Sequence, residues 1–178
     1  EKYALSLCRR VHEANRRVSF DVNFRTDIFR DVKIAVETYK KILEQADIVK
    51  FSEDELEIFT REYAERLAKD KLVCVSLGGA GSMWMYGGES KVIPSVSVKP
   101  VDTTGAGDAF FAGVLSGLDG LECPYDKGKL DKIFAFANVC GALNTLGRGA
   151  IDNLPDLETV NERLRLIEER EDGNVMTH

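Results

Sequence analysis

Two rhythms of hydrophobic and polar positions alternate along the first two thirds of this chain. Over residues 3–17, Ala4, Leu7, Cys8, Val11 and Ala14 recur at steps of three and four, the stripe of an amphipathic helix. A second stripe, Val32, Ala35, Val36, Tyr39, Ile42, Leu43 and Ala46, predicts a helix over 32–46. Short runs rich in apolar residues at 18–22 and 48–51 suit strands, and the near-continuous run at 72–77 suits a strand buried on both faces of a sheet. Ser52, with Glu55 three residues on, has the spacing of a capping box, so a short helix follows it, and 62–69 predicts another. Residues 82–86, 91–94 and 96–98 read as strands, the first two joined by a Gly87-Gly88 hairpin turn. Three helices close the pattern, over 109–118, 130–144 and 157–169. Strands alternating with helices, then a helical end, predict an α/β fold whose sheet is largely parallel in its first half.

Composition narrows the setting. A chain of 178 residues, 44% hydrophobic and 30% charged, can bury one sizeable core, so one domain over 1–178 is expected. The net charge of −6, with no basic stripe, argues against nucleic acid as a partner. No apolar run approaches membrane-spanning length, which argues against a membrane partner. Cys8, Cys74, Cys123 and Cys140 are far apart and lack metal-ligand spacing, and read as buried free thiols of a reduced, cytoplasmic protein. His12 and His178 lie near opposite ends, and neither has a partner that suggests catalysis. Opening at Glu1 inside a helical pattern predicts a piece of a longer chain.

The stretch from Val101 to Leu115, Val-Asp-Thr-Thr-Gly-Ala-Gly-Asp-Ala-Phe-Phe-Ala-Gly-Val-Leu, carries the strongest chemistry. Gly105 and Gly107 permit a sharp turn into a helix. The N–H groups of Gly105, Ala106, Gly107 and Asp108 are then expected to be free at its positive end, an anion site made of backbone. Asp108 would repel a phosphate held there, so a further role is needed: a base that accepts a proton from an attacking hydroxyl. Asp21-Val-Asn-Phe-Arg places Asp21, Asn23 and Arg25 at alternate positions just past a strand, and Arg25 has the fork geometry for a carboxylate or phosphate. Ser76-Leu-Gly-Gly-Ala-Gly81 is a glycine-bearing turn after the most apolar strand, where open α/β sheets place ligands. Asn138 lies in an apolar helix face and needs a partner, either a ligand or a buried backbone group. The chain has no Gly-x4-Gly-Lys-Ser/Thr P-loop. A Gly-x-Gly-x-x-Gly dinucleotide motif also fails, because Phe110 stands at its third glycine.

Asp-Thr-Thr-Gly-Ala-Gly-Asp-Ala-Phe resembles the second signature of the ribokinase-like (PfkB) carbohydrate kinases. The resemblance implies an α/β three-layer sandwich with a largely parallel central sheet. It covers only the second half of the family's pattern, so the N-terminal half and its β-sheet lid are expected to lie outside this chain. It also implies an anion hole at Gly105, Ala106 and Gly107, with Asp108 as catalytic base. Ser52, Ser76, Gly78, Gly81, Gly107 and Asn138 match positions along the nucleotide, ATP. Asn23 and Arg25 match an acceptor segment of fructokinase-type and 2-keto-3-deoxygluconate-kinase-type members, shared with Asp108. Ser52-x-x-Glu55 stands where many members have Asn-x-x-Glu, a segment linked to magnesium, which makes Glu55 a candidate Mg2+ residue. Asp102, Thr104, Gly147 and Gly149 lie in the two segments between which many members hold a monovalent cation such as K+. The activity implied is ATP-dependent phosphorylation of a sugar hydroxyl, most similar to the fructokinase type. A sugar acid and a non-catalytic nucleotide-binding module of the same fold remain as alternatives. A homodimer of the full-length protein is a further expectation.

Overall fold

The computed structural model describes residues 2–175, so His178 lies outside the described residues. They group into two compact units, the first of residues 2–78 and 83–92, the second of 79–82 and 93–175.

The first unit holds the parallel part of a five-stranded sheet of order β1-β2-β3-β4-β5. Strand β1 (Ser19–Asp21) pairs in parallel with β2 (Ile48–Ser52), and β2 in parallel with β3 (Leu72–Ser76). Strand β4 (Gly81–Tyr86) follows β3 after four residues and β5 (Glu89–Pro94) follows β4 after two, connections short enough only for antiparallel neighbours. Helices α1 (Lys2–Glu13), α2 (Val32–Leu43), α3 (Glu53–Phe59) and α4 (Arg61–Leu67) surround the parallel strands. The core joins Val49 and Phe51 of β2 and Val73 and Val75 of β3 to Val36 and Leu43 of α2, Phe59 of α3 and Leu67 of α4. These strand residues alternate with Ile48, Lys50, Leu72 and Cys74, which are also buried, as the unbroken apolar pattern requires of strands covered on both faces.

Local rules explain where helices depart from the periodicity. Helix α1 stops at Glu13, short of residue 17, because Asn15 takes the left-handed conformation at φ 53°. The Asn15 amide then bonds the His12 carbonyl and the Arg16 amide the Val11 carbonyl, a Schellman ending. His12 and Val18 share the Asp47 carboxylate, Nε2 at 3.0 Å and the amide at 2.7 Å, which ties the end of α1 to the approach to β2. The Ser52 capping box is present, its hydroxyl accepting from the Glu55 amide.

The second unit is helical. Helix α5 (Ala106–Leu118) packs along α6 (Lys127–Asn144), and α7 (Leu157–Val175) rests on α6. Helix α6 begins three residues before the apolar stripe because Asp126 caps it, accepting from the Lys129 amide at 2.8 Å. Phe110 meets Phe134 edge to face at 5.8 Å, and Val139, Cys140 and Val160 join Phe136, Leu143 and Leu164 where α6 meets α7. Residues 96–98 form no strand, so that expectation is corrected. Cys123 is exposed, unlike Cys8, Cys74 and Cys140, so only three of the four thiols are buried.

Candidate active site

The candidate residues fall into two groups, one in each unit. In the second unit they centre on the start of α5. Gly105 is the N-cap of this helix and is left-handed, φ 77°. An added Cβ there would lie 2.8 Å from both Cα and Cβ of Ala150, so glycine is required for conformation and for space alike. The helix begins at Ala106, three residues earlier than its stripe suggested, which moves Asp108 into its first turn. The expectation of four free amides is corrected at one position. The Ala106 amide donates to the Thr103 carbonyl at 3.2 Å, whereas those of Gly107 and Asp108 make no backbone hydrogen bond among the described residues. The Asp108 carboxylate is exposed. An exposed carboxylate beside two outward amides at a helix N-terminus can take a proton next to a bound anion.

The segments before and after this turn meet. Asp102 accepts from the Thr104 amide at 2.9 Å and the Thr104 hydroxyl at 2.7 Å with one oxygen, and from the Gly149 amide at 3.0 Å with the other. These donors, Gly149 first, hold its carboxyl down at about 2. The Val101 amide bonds the Thr145 carbonyl at 2.7 Å, and Asn144 Nδ2 bonds the Thr104 carbonyl at 3.1 Å. Asn144 is fully buried, and its Oδ1 has no hydrogen-bond partner. A buried amide oxygen without a donor is unusual and suits a water or a cation. Gly147 packs against Asn153, whose Nδ2 bonds the Arg148 carbonyl at 2.8 Å.

Two nucleotide candidates in this unit also have structural partners. Asn138 is buried, and its Nδ2 donates to the carbonyls of Ile93 at 3.0 Å and Pro94 at 3.1 Å, so both donors are spent on the end of β5. Gly81 is buried at φ 115°, where a Cβ would stand 2.2 Å from the Ile93 carbonyl oxygen, so backbone packing calls for this glycine.

In the first unit the carboxyl ends of the parallel strands gather the other group. Past β1, Val22 and Phe24 are buried while Asn23 and Arg25 are exposed. At the end of β2 stands the Ser52 cap; β3 ends at the half-buried Ser76, and past it comes the exposed Gly78, whose neighbourhood is open. Ser52 and Ser76 are register partners, so both stand in the last row of the sheet on one face. Glu55 is buried, with Oε2 accepting from the Ser52 amide at 2.7 Å and Oε1 from the Phe24 amide at 2.5 Å. Both oxygens thus serve backbone donors, and among the described residues no trio of His, Cys, Asp or Glu is arranged to cage a metal. Periodicity missed Lys50. Lys50 is 7% exposed, and its ammonium lies 3.0 and 3.1 Å from the two carboxylate oxygens of Asp21. The one available signal was a lysine inside an apolar strand with an aspartate at the end of its parallel neighbour.

The model of the pfkB family of carbohydrate kinases matches residues 4–157. Among curated relatives, the probable chloroplastic fructokinase-6 of Arabidopsis thaliana is 36% identical over 170 residues, covering 90% of this chain and 44% of the relative. Among solved structures, a Vibrio cholerae O395 fructokinase in a fructose-, ADP- and calcium-bound form superposes with a TM-score of 0.79 at 30% identity, over 89% of this chain and 54% of that one. The aminoimidazole riboside kinase of Salmonella enterica, complexed with aminoimidazole riboside and an ATP analogue, gives 0.79 at 32% identity, over 90% and 56%. The chain spans about half the length of the relatives named here. With a family model that matches residues 4–157, most of its length, this chain belongs to the pfkB family of carbohydrate kinases.

Proposed function

We propose that this chain is the nucleotide-binding and catalytic part of an ATP-dependent sugar kinase, with fructose as the acceptor. The observation that carries the reading is the start of α5, where exposed Asp108 sits in the first turn beside the outward amides of Gly107 and Asp108. ATP, when bound, supplies the transferable γ-phosphoryl group. The α5 amides hold the oxygens of that group through backbone dipoles, each such donor worth roughly 3 kcal/mol of barrier. Asp108 takes the proton of the acceptor hydroxyl as its oxygen bonds to the γ-phosphorus and the bond from that phosphorus to the departing ADP breaks. Ser76 and Gly78 line the nucleotide, and exposed Asn23 and Arg25 hold the acceptor. The fructose and ADP bound in the Vibrio cholerae structure support the pairing of substrates.

Magnesium fits through the nucleotide's own phosphate oxygens and water, since it commonly keeps several waters and few protein ligands. Glu55 serves the backbone in that arrangement. A monovalent cation fits beside the joined segments of Asp102, Thr104, Gly147 and Gly149, where the orphan Asn144 Oδ1 supplies one ligand. Exposed Arg25 suits a sugar acid as well, so 2-keto-3-deoxygluconate is the competing acceptor.

The test is Asp108→Asn in the complete protein. Turnover falls about 10²–10⁴-fold while ATP binding persists, as removal of a general base requires. Unchanged turnover removes the base assignment. A wild-type protein that phosphorylates the sugar acid but never fructose replaces the acceptor.

A further inference from the structure

The backbone just past β1 is held in an unfavourable shape from two sides. Asn23 has φ 41°, the left-handed region that asparagine tolerates better than most residues but does not prefer. On its N-terminal side, Asp21 and Lys50 are register partners across β1 and β2, and the buried ammonium bridges both Asp21 oxygens. On its C-terminal side, the Phe24 amide donates to Glu55 Oε1. The Phe24 ring is buried 5.0 Å from Phe29, 5.0 Å from Tyr39 and 5.4 Å from Phe59. The other oxygen of Glu55 holds the Ser52 amide, so one carboxylate ties the segment past β1 to the cap past β2.

We propose that Lys50 and Glu55 are positioning residues that clamp the chain on either side of Asn23 and so set where Asn23 and Arg25 meet the acceptor. The proposal rests on the acceptor role given to those two residues above. A buried ammonium paired with a single carboxylate is a costly arrangement, often no more stable than an apolar pair of the same volume. Its place two rows before the last row of the sheet, on the same face as Ser52, is explained by aim. The Glu55 bonds act likewise. They satisfy two backbone donors that surface loops ordinarily leave to water, and they do so on both sides of the strand ends.

Two sets of variants of the complete protein test this, with KM for fructose, KM for ATP and hydrogen exchange at the Phe24 amide as readouts. Glu55→Gln keeps the shape but sets an NH2 group against one of the two backbone donors. Lys50→Met combined with Asp21→Asn removes the ion pair without stranding a buried charge, so folding survives. Both are expected to raise the KM for fructose about tenfold or more, as a small misplacement of binding groups does, with the KM for ATP within about twofold of wild type. Exchange at Phe24 quickens in Glu55→Gln. A fructose KM that stays put in the folded variants overturns the proposal, as does an equal rise in both KM values, which marks general loosening. Unaltered Phe24 exchange in Glu55→Gln overturns the Glu55 half. Turnover of the wild-type protein is judged separately: if it phosphorylates no sugar, the kinase reading fails and this inference falls with it.

Discussion

Replacing Gly105 by alanine probes the turn on which the site depends. Two costs add. A left-handed alanine is disfavoured by roughly 1–2 kcal/mol relative to its right-handed form. The new methyl would also stand 2.8 Å from both Cα and Cβ of Ala150 and 3.0 Å from its carbonyl oxygen. Backbone atoms cannot swing aside as a flexible side chain does, and overpacking of this kind costs about 1–3 kcal/mol. A loss of about 3 kcal/mol lowers the melting temperature of a chain this size by about 6–12 °C. Gly120 provides the control: its φ is 71°, and nothing lies within 4 Å of the position its Cβ would take. Gly120→Ala therefore reports the backbone cost alone, and the difference between the two variants reports the contact with Ala150. Urea and thermal unfolding followed by circular dichroism measure both, and phosphorylation of fructose by the complete protein is read in parallel. Gly105→Ala should lose more stability than Gly120→Ala and should lose turnover, while Gly120→Ala keeps it. Equal losses of stability would refute the argument that Ala150 closes on the turn.

Three further outcomes follow from particular bonds. Asn138→Leu leaves the carbonyls of Ile93 and Pro94 without their donors at a buried position, and should lower the unfolding free energy by about 1–3 kcal/mol while the KM for ATP stays unchanged; a raised KM for ATP with no loss of stability would point back to the nucleotide. Asp102 titrates at about 2 in the folded chain against an ordinary 3.8, so it contributes stability above pH 4 that is lost as the pH falls toward 2. In Asp102→Asn this part of the acid limb should flatten, and an unchanged slope in urea titrations across that window would count against the Gly149 and Thr104 bonds. Phe59, 1% exposed and in contact with Phe24, Phe51 and Tyr39, should cost about 3–5 kcal/mol on truncation to alanine, read from the urea midpoint.

Much of this molecule was legible in its one-dimensional pattern, because the rules involved are local. The α2 stripe, the Ser52-x-x-Glu55 box, the Gly87-Gly88 turn and the buried β3 run depend on neighbours within a few residues, and each element formed where its pattern lay. The turn at residues 105–108 was also visible, since a left-handed glycine before a helix and an acid in its first turn are short-range features. Helix ends were less legible: α5 starts at Ala106 because Gly105 can turn, before any apolar residue of its stripe requires it.

What only the tertiary structure decided was how polar side chains spend their hydrogen bonds, because their partners lie far along the chain. Asn138 reaches a backbone 45 residues away, Asp102 an amide 47 away, and Glu55 an amide 31 away. No periodicity encodes such pairings. Residue type alone does not name these partners; they depend on which backbone donors and acceptors the folded sheet and helices left unsatisfied nearby. Lys50 makes the point most directly. Within its strand it is an interruption of an apolar run, and only the parallel register that sets it opposite Asp21 gives that buried charge a partner.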